Sequence, residues 1–194
     1  MPDSDRVGMP SDHRRAFVVS LVSPPMSETA SKDNVVMGAE GDRDRFAWRR
    51  GAGAGFVASV VMGLAITAVD LTTLRQAIAG LYGFEGNLVA GWLTHVAHGT
   101  VFGVVFAFVL LDPGVAGITS WIWKTTLAGI VYGVVLAVAG AGIIMPIWLG
   151  VVGFAGPPSI PYVTRPMLVW HALYGAVLGF GVALAERRPE LTRS

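Results

Sequence analysis

Cysteine is absent from the 194 residues, which excludes disulfides, thiolate metal sites and a cysteine nucleophile. Charge is scarce as well. Charged residues make up 14% of the chain, against roughly 25% in a soluble domain, and they are segregated. Between Gly51 and Ala185 the cations are Arg75, Lys124 and Arg165 and the anions Asp70, Glu85 and Asp112. No carboxylate falls in the middle of an apolar run, which weakens any ion-coupled mechanism. No basic face with interleaved aromatics exists, so nucleic acid is not an expected partner. No Ser/His/Asp set is placed to act together. Gly51-Ala-Gly53-Ala-Gly55 follows no strand and lacks the Lys-Ser/Thr of a phosphate loop. An enzyme is therefore not expected, nor a resident metal.

What the chain has in quantity is apolar residues, 53% of the total, gathered in four runs. Crossing about 30 Å of hydrocarbon takes roughly 20 helical residues. The runs predict spans over about 51–69, 88–111, 125–144 and 167–185. They are too long and too uniformly apolar for barrel strands, and within lipid a chain spans only as helices or as a closed barrel. Asp112-Pro113-Gly114 marks a turn after the second run, Pro146 reads as the breaker of the third, and Glu186-Arg187-Arg188-Pro189 ends the fourth. Residues 1–50 are rich in Asp, Ser, Arg and Pro and read as a disordered cytoplasmic tail. Their one apolar run, Ala16 to Val22, is too short to span, and no small-residue cleavage site follows it closely, so a signal peptide is not expected, nor a twin-arginine signal at Arg14-Arg15. Residues 189–194 form a cytoplasmic C-terminal tail.

Orientation follows from Lys and Arg. Twelve lie in the two tails and the second connection, and two, Arg75 and Arg165, in the first and third connections. That places both termini in the cytoplasm of a multi-pass cell-membrane protein. In the first connection Leu74, Ile78, Leu81 and Tyr82 fall at helical spacing, a short interfacial helix, and Asp70 with Arg75 reads as an interfacial ion pair. The third connection, Pro146 to Pro166, is apolar and rich in Pro and Gly, a cap on the outer leaflet or a lid.

The four runs also read as two copies of one unit. His95-Val-Ala-His98-Gly99-Thr-Val-Phe-Gly103 returns 76 residues later as His171-Ala-Leu-Tyr174-Gly175-Ala-Val-Leu-Gly179, and the same offset sets Gly53 on Gly129 and Phe56 on Tyr132. Gly99 and Gly103, Gly175 and Gly179, Gly129 and Gly133, and the series Gly51, Gly55, Ser59, Gly63 lay a small-residue ridge on each helix. In lipid such ridges let backbones approach closely. The expectation is an all-α polytopic membrane protein: four transmembrane helices as two parallel two-helix repeats, its partners the lipid bilayer and, through leftover small-residue faces, a second copy or another membrane protein.

The run Val69-Asp70-Leu-Thr-Thr-Leu-Arg75, then Gly80-Leu-Tyr-Gly83-Phe-Glu85-Gly86-Asn87, then Gly91-Trp92-Leu-Thr-His95-Val-Ala-His98-Gly99 resembles a family of small uncharacterised four-helix membrane proteins of halophilic archaea. The resemblance covers about 51–188. It implies the four-helix membrane fold and carries over no activity and no catalytic residue. Members can bear a histidine-kinase label, but this chain has no ATP-binding glycine-rich box and no soluble catalytic domain.

His95, Gly99 and Gly103 share one helix face, as do His171, Gly175 and Gly179. Each histidine lies about 22–24 Å from the inner end of its helix, at matched depth towards the outer leaflet. An ionisable residue inside a membrane is a functional-site hypothesis by default. His98, Tyr174, Trp92 and Trp170 complete the cluster, with Asn87, Thr94 and Thr100 nearby. The leading reading is structural: neutral imidazoles bonding across the interface, His95 to His171 or to backbone carbonyls, in a non-enzymatic structural or accessory bundle. The alternative is a small transporter or channel using His95, His98 and His171, groups that titrate near neutrality. A third is a b-type haem with His95 and His171 as axial ligands, against which stands the glycine ridge that draws the helices together. A divalent metal on His95, His98 and His171 comes last.

Overall fold

The structure, a computed structural model, describes residues 26–191, with side chains from 46 to 187. The chain divides into two compact units, 1–38 and 39–194, and the candidate site lies wholly in the second. The readings made for residues 1–25, the signal-peptide and twin-arginine questions included, lie outside the described residues.

Every described element is helical. α1 is Met26–Val69, α2 Leu88–Val109, α3 Ile122–Val135, α4 Met145–Val151 and α5 Arg165–Leu191. Two π-helical stretches, Thr73–Ile78 and Leu136–Ile144, stand between them, with a short 3-10 turn at Ala116–Ile118. Four stretches are long and apolar enough to cross a membrane: Phe46–Val69, Leu88–Val109, Ile122–Val151 and Arg165–Arg187. Large apolar side chains such as Leu64, Leu93, Val131 and Val169 stand exposed on their outer faces, as a hydrocarbon solvent requires. The molecule is thus all-helical and compatible with a multi-pass membrane protein.

Three boundaries differ from the sequence reading. α1 begins at Met26, so residues 26–50, expected to be a disordered tail, are helical. Glu28, Ala30, Lys32 and Glu40 are good helix formers, a propensity that apolar content does not report. α5 likewise runs to Leu191, past Pro189. The third difference concerns Pro146. It does not end the third span but sits in the first turn of α4, where a missing N–H is cheapest. The turn before it is widened, with Met145 N–H reaching back five residues to Gly140 O. Pro146 has no N–H to give the turn before it. Gly142 O, in that turn, accepts from Tyr162 N–H at 2.8 Å, so the third connection is bonded to the span there.

The helices pair by direct backbone approach. A Cβ added to Gly55 would lie 2.6 Å from Gly99 O and 2.8 Å from Gly103 Cα. A Cβ on Gly103 would strike Gly51 O, and one on Gly99 would strike the Ser59 side chain. In the other pair, Gly129 meets Gly175 O and Gly179, Gly133 meets His171 O, and Gly179 meets Thr125 O. The register departs from the 76-residue offset on the first helix of each pair. Gly55, not Gly53, meets Gly99 and Gly103 as Gly129 meets Gly175 and Gly179. Gly53 is exposed, with open space at its Cβ, and Phe56 is exposed as well. The chain between the paired helices is two residues longer in the second half, so a single offset cannot align both helices.

The first and third connections interlock at one end. Trp148 Nε1 donates to Leu81 O at 2.8 Å, and the Phe154 ring lies 2.7 Å from where a Cβ of Gly80 would stand. The expected short helix of the first connection is π-helical, with Leu74 fully buried and Leu74 O against Gly91 of α2. Asp70 and Arg75 do not pair with each other. Asp70 accepts from Thr73 N–H at 3.3 Å and Thr73 Oγ1 at 2.6 Å. Arg75 Nε donates to Gly86 O at 2.7 Å, and Gly86 N–H donates to Arg75 O at 2.9 Å. That double clasp uses a backbone with φ +84°, open to glycine. At the opposite end Arg50 lies 4.0 Å from Glu186, Arg187 Nη2 donates to Ser120 O at 3.1 Å, and Lys124 stands over the Trp121 and Trp123 rings.

These contacts set an expected outcome. Gly55→Ala or Gly175→Ala forces two backbones apart and is expected to cost about 1–3 kcal/mol, whereas Gly53→Ala costs nothing measurable. Unfolding in mixed micelles checks the difference.

Candidate functional site: a cavity walled by histidines

Three helices meet at Gly99. Its missing Cβ admits Ser59 of α1 and leaves room for the Tyr174 ring, 3.4 Å from where that Cβ would be. Tyr174 is buried, and its hydroxyl donates to Gly99 O at 2.6 Å. One α2 turn further, Tyr132 of α3 donates to Phe102 O at 2.9 Å and packs its ring 5.1 Å from that of Phe106. Two tyrosines thus fasten the second pair of helices to carbonyls of α2. Beyond this level Phe106, Leu178 and Val182 form the buried core.

On the other side of Gly99, towards the interlocked connections, the helices leave a cavity of about 680 Å³. Its wall is mainly apolar, with Met62, Ile66, Leu136, Met145 and Met167 among the contributors. The lining reaches Ser59, Phe102 and Tyr174 and goes no deeper. Asp70, Thr73 and Tyr82 of the first connection and Trp148, Tyr162 and Thr164 of the third complete it. The third connection therefore takes part in the wall, as a cap held by its hydrogen bond to Leu81.

The structure brings His95, His98, His171, Tyr174 and Trp170 to this one cavity. Trp92 stands behind it, filling the space above Gly63 and meeting His95 edge-on with ring centroids 6.3 Å apart. The partners of the histidines are not each other. His95 is buried and places Nε2 3.0 Å from Ser59 O. His171 places Nδ1 2.8 Å from Met167 O, one turn back on its own helix. Of the alternatives open from sequence, backbone carbonyls take both rings and the His95–His171 bond is not made. His98 Nε2 lies 2.8 Å from the Tyr82 hydroxyl. Asn87, expected beside the cluster, instead caps α2 by accepting from Ala90 N–H, and Thr100 donates to Val96 O.

Position 95 and position 171, equivalent in sequence, are thus used differently. His95 crosses to the first helix of its pair, while His171 turns back. At Gly133 the facing backbone is pressed against His171 O, while the His171 ring bonds within its own helix. His98 and Tyr174 diverge likewise, one bonding a connection and the other a helix carbonyl.

Two chemistries weighed from sequence meet obstacles. Paired axial ligation of a haem by the two Nε2 atoms would need the His95 nitrogen that Ser59 O already occupies. A metal on three histidines is also unsupported, since no group of three His, Asp or Glu among the described residues could hold an ion. The sequence reading missed two participants, Ser59 O and Tyr82. Ser59 is visible as a ridge residue, but a backbone carbonyl carries no sequence signal, and Tyr82 reads only as one residue of the short interfacial helix.

Comparison of the chain with protein-family models, with curated proteins and with solved structures finds no match.

Tyr174→Phe removes only the hydroxyl that reaches Gly99 O. Cross-helix hydrogen bonds in membrane proteins average about 0.6 kcal/mol and reach about 1.7, and the loss is expected in that range by unfolding in mixed micelles. Tyr82→Phe, which frees His98 but leaves the helix junction alone, is expected to change stability less.

Proposed function

We propose that the protein is a non-enzymatic integral membrane protein, an accessory bundle that holds a small, largely apolar molecule in the cavity between its four helices. The observation that carries this reading is the cavity itself. Its volume of about 680 Å³ falls in the roughly 300–1,000 Å³ range of small-molecule sites, which are likewise mostly apolar with a few polar groups. Histidines committed to backbone carbonyls fit a wall better than a catalytic centre, because each has spent a nitrogen on the fold. A channel or transporter finds less support, since the lining stops at Phe102 and Tyr174 and packed core lies beyond.

The same reading takes the two helix pairs as copies of one parallel unit, joined by close glycine contacts in each pair. It places the protein in the cell membrane with both termini cytoplasmic, supported by the twelve-to-two distribution of Lys and Arg. The cavity then opens its polar wall in the outer leaflet. The resemblance to the halophilic archaeal family agrees with membrane residence and bears on no activity.

Two measurements test these points. Ala139→Phe and Ala141→Phe place bulk on the cavity wall. Mass spectrometry of lipophilic molecules copurifying with the wild type is expected to show species that the filled variants lose, and equal recovery from all three contradicts the reading. Accessibility of terminal tags in sealed vesicles is expected to label both ends from the cytoplasmic face only.

A further inference from the structure

The hydrogen bonds of His95, buried, and His171, half-buried, determine what the cavity offers a guest. A carbonyl oxygen only accepts, so the nitrogen facing it must carry the hydrogen. His95 therefore bears its proton on Nε2, against Ser59 O, and His171 on Nδ1, against Met167 O. In a neutral imidazole the other nitrogen is then a lone-pair acceptor with no hydrogen to give. These remaining atoms are His95 Nδ1 and His171 Nε2. Neither has a hydrogen-bond partner among the described residues. No fully enclosed side-chain nitrogen or oxygen among the described residues is left unpartnered, so these two must be open, and the space both side chains line is the cavity. His95 itself is only 8% exposed, which makes its lone pair an acceptor set in an apolar wall. No lysine or arginine lines the cavity to answer it.

We infer that the cavity selects a lipid-soluble molecule bearing a hydroxyl group, a phenol or alcohol whose O–H donates to an imidazole lone pair while its apolar body lies against Met62, Ile66, Leu136 and Met145. This rests on the reading of the cavity as a ligand site and adds the sign of its polarity. At either imidazole a ligand that can only accept, such as an ether or a quinone carbonyl, would set oxygen lone pairs against nitrogen lone pairs, a contact that the donors elsewhere in the wall, Tyr162, Thr164 and Trp170, do not relieve. A hydroxyl of the same skeleton turns that repulsion into a bond. His171 is the better exposed of the two acceptors, and its carbonyl bond lies within its own helix, so it can be altered without breaking a contact between helices.

The test uses the full chain in lipid nanodiscs, with empty nanodiscs of the same lipid as the reference for partitioning. The probes are 4-octylphenol and its methyl ether, 4-octylanisole, which share an apolar body and differ in the donor. Equilibrium dialysis is expected to show both probes retained in excess by protein-bearing discs, the phenol roughly fivefold more tightly, the size of one net hydrogen bond. His171→Leu is expected to bring that ratio towards one, and His171→Gln, which keeps an acceptor, to preserve part of it. Equal retention of phenol and ether by the wild type overturns the hydroxyl assignment and leaves the ligand site standing. No excess of either probe over empty discs overturns both. Because the wild-type ratio alone decides the assignment, a variant that fails to fold does not shield it.

Discussion

The fold depends on backbones touching. Without a hydrophobic drive between helices in lipid, association must come from van der Waals contact and hydrogen bonds, and here both begin at glycine. Gly51 and Gly55 lie against Gly103 and Gly99, Gly129 against Gly175 and Gly179, with no side chain between them. That distance sets the rest. His95 can reach Ser59 O only because Gly99 lets α1 come within a single imidazole's span. Tyr174 can reach Gly99 O only because the same glycine leaves a face open to α5. The junction at Gly99 thus closes the bundle on one side, and the cavity is the space left where the ridges give way to histidine, tryptophan and the connections.

Much of this was legible in residue order, and the parts that were not share a cause. Four apolar runs and their glycine spacing were enough to read four helices and their contact faces, because both follow from period and composition. The offset of 76 residues set Gly53 opposite Gly129, whereas Gly55 takes that place. Sequence similarity was strongest in the second helix of each pair, and a two-residue difference in the connection shifts the first helix unseen. Pro146 read as a breaker because the sequence cannot show that a neighbouring loop will donate to a carbonyl of the turn before it. Asp70 and Arg75 do not pair, and of the two partners left open for His95 and His171, each other or backbone carbonyls, the carbonyls take both. Arg75, His95 and His171 each turned to a backbone carbonyl, and backbone groups are the same in every sequence, while Asp70 turned to its near neighbour Thr73.

The divergence of the two halves is where the cavity acquires its chemistry. A strictly symmetric pair would leave both histidines crossing to a facing carbonyl. Instead one imidazole is proton-bearing at Nε2 and the other at Nδ1, and tyrosine stands where the first half has histidine. One half consequently contributes an interhelix fastening at Tyr174, and the other a ring tied to the first connection through Tyr82.

The bond from Tyr162 N–H to Gly142 O has a consequence for biogenesis. Most spanning helices satisfy their own backbone and can enter a bilayer as independent units. The third span has a carbonyl, at the turn that Pro146 interrupts, whose partner is supplied from eleven residues beyond α4's end. Closing that turn therefore draws on the chain that follows it, so the third span and the connection after it settle together, and a truncation placed between Val151 and Tyr162 would remove that donor.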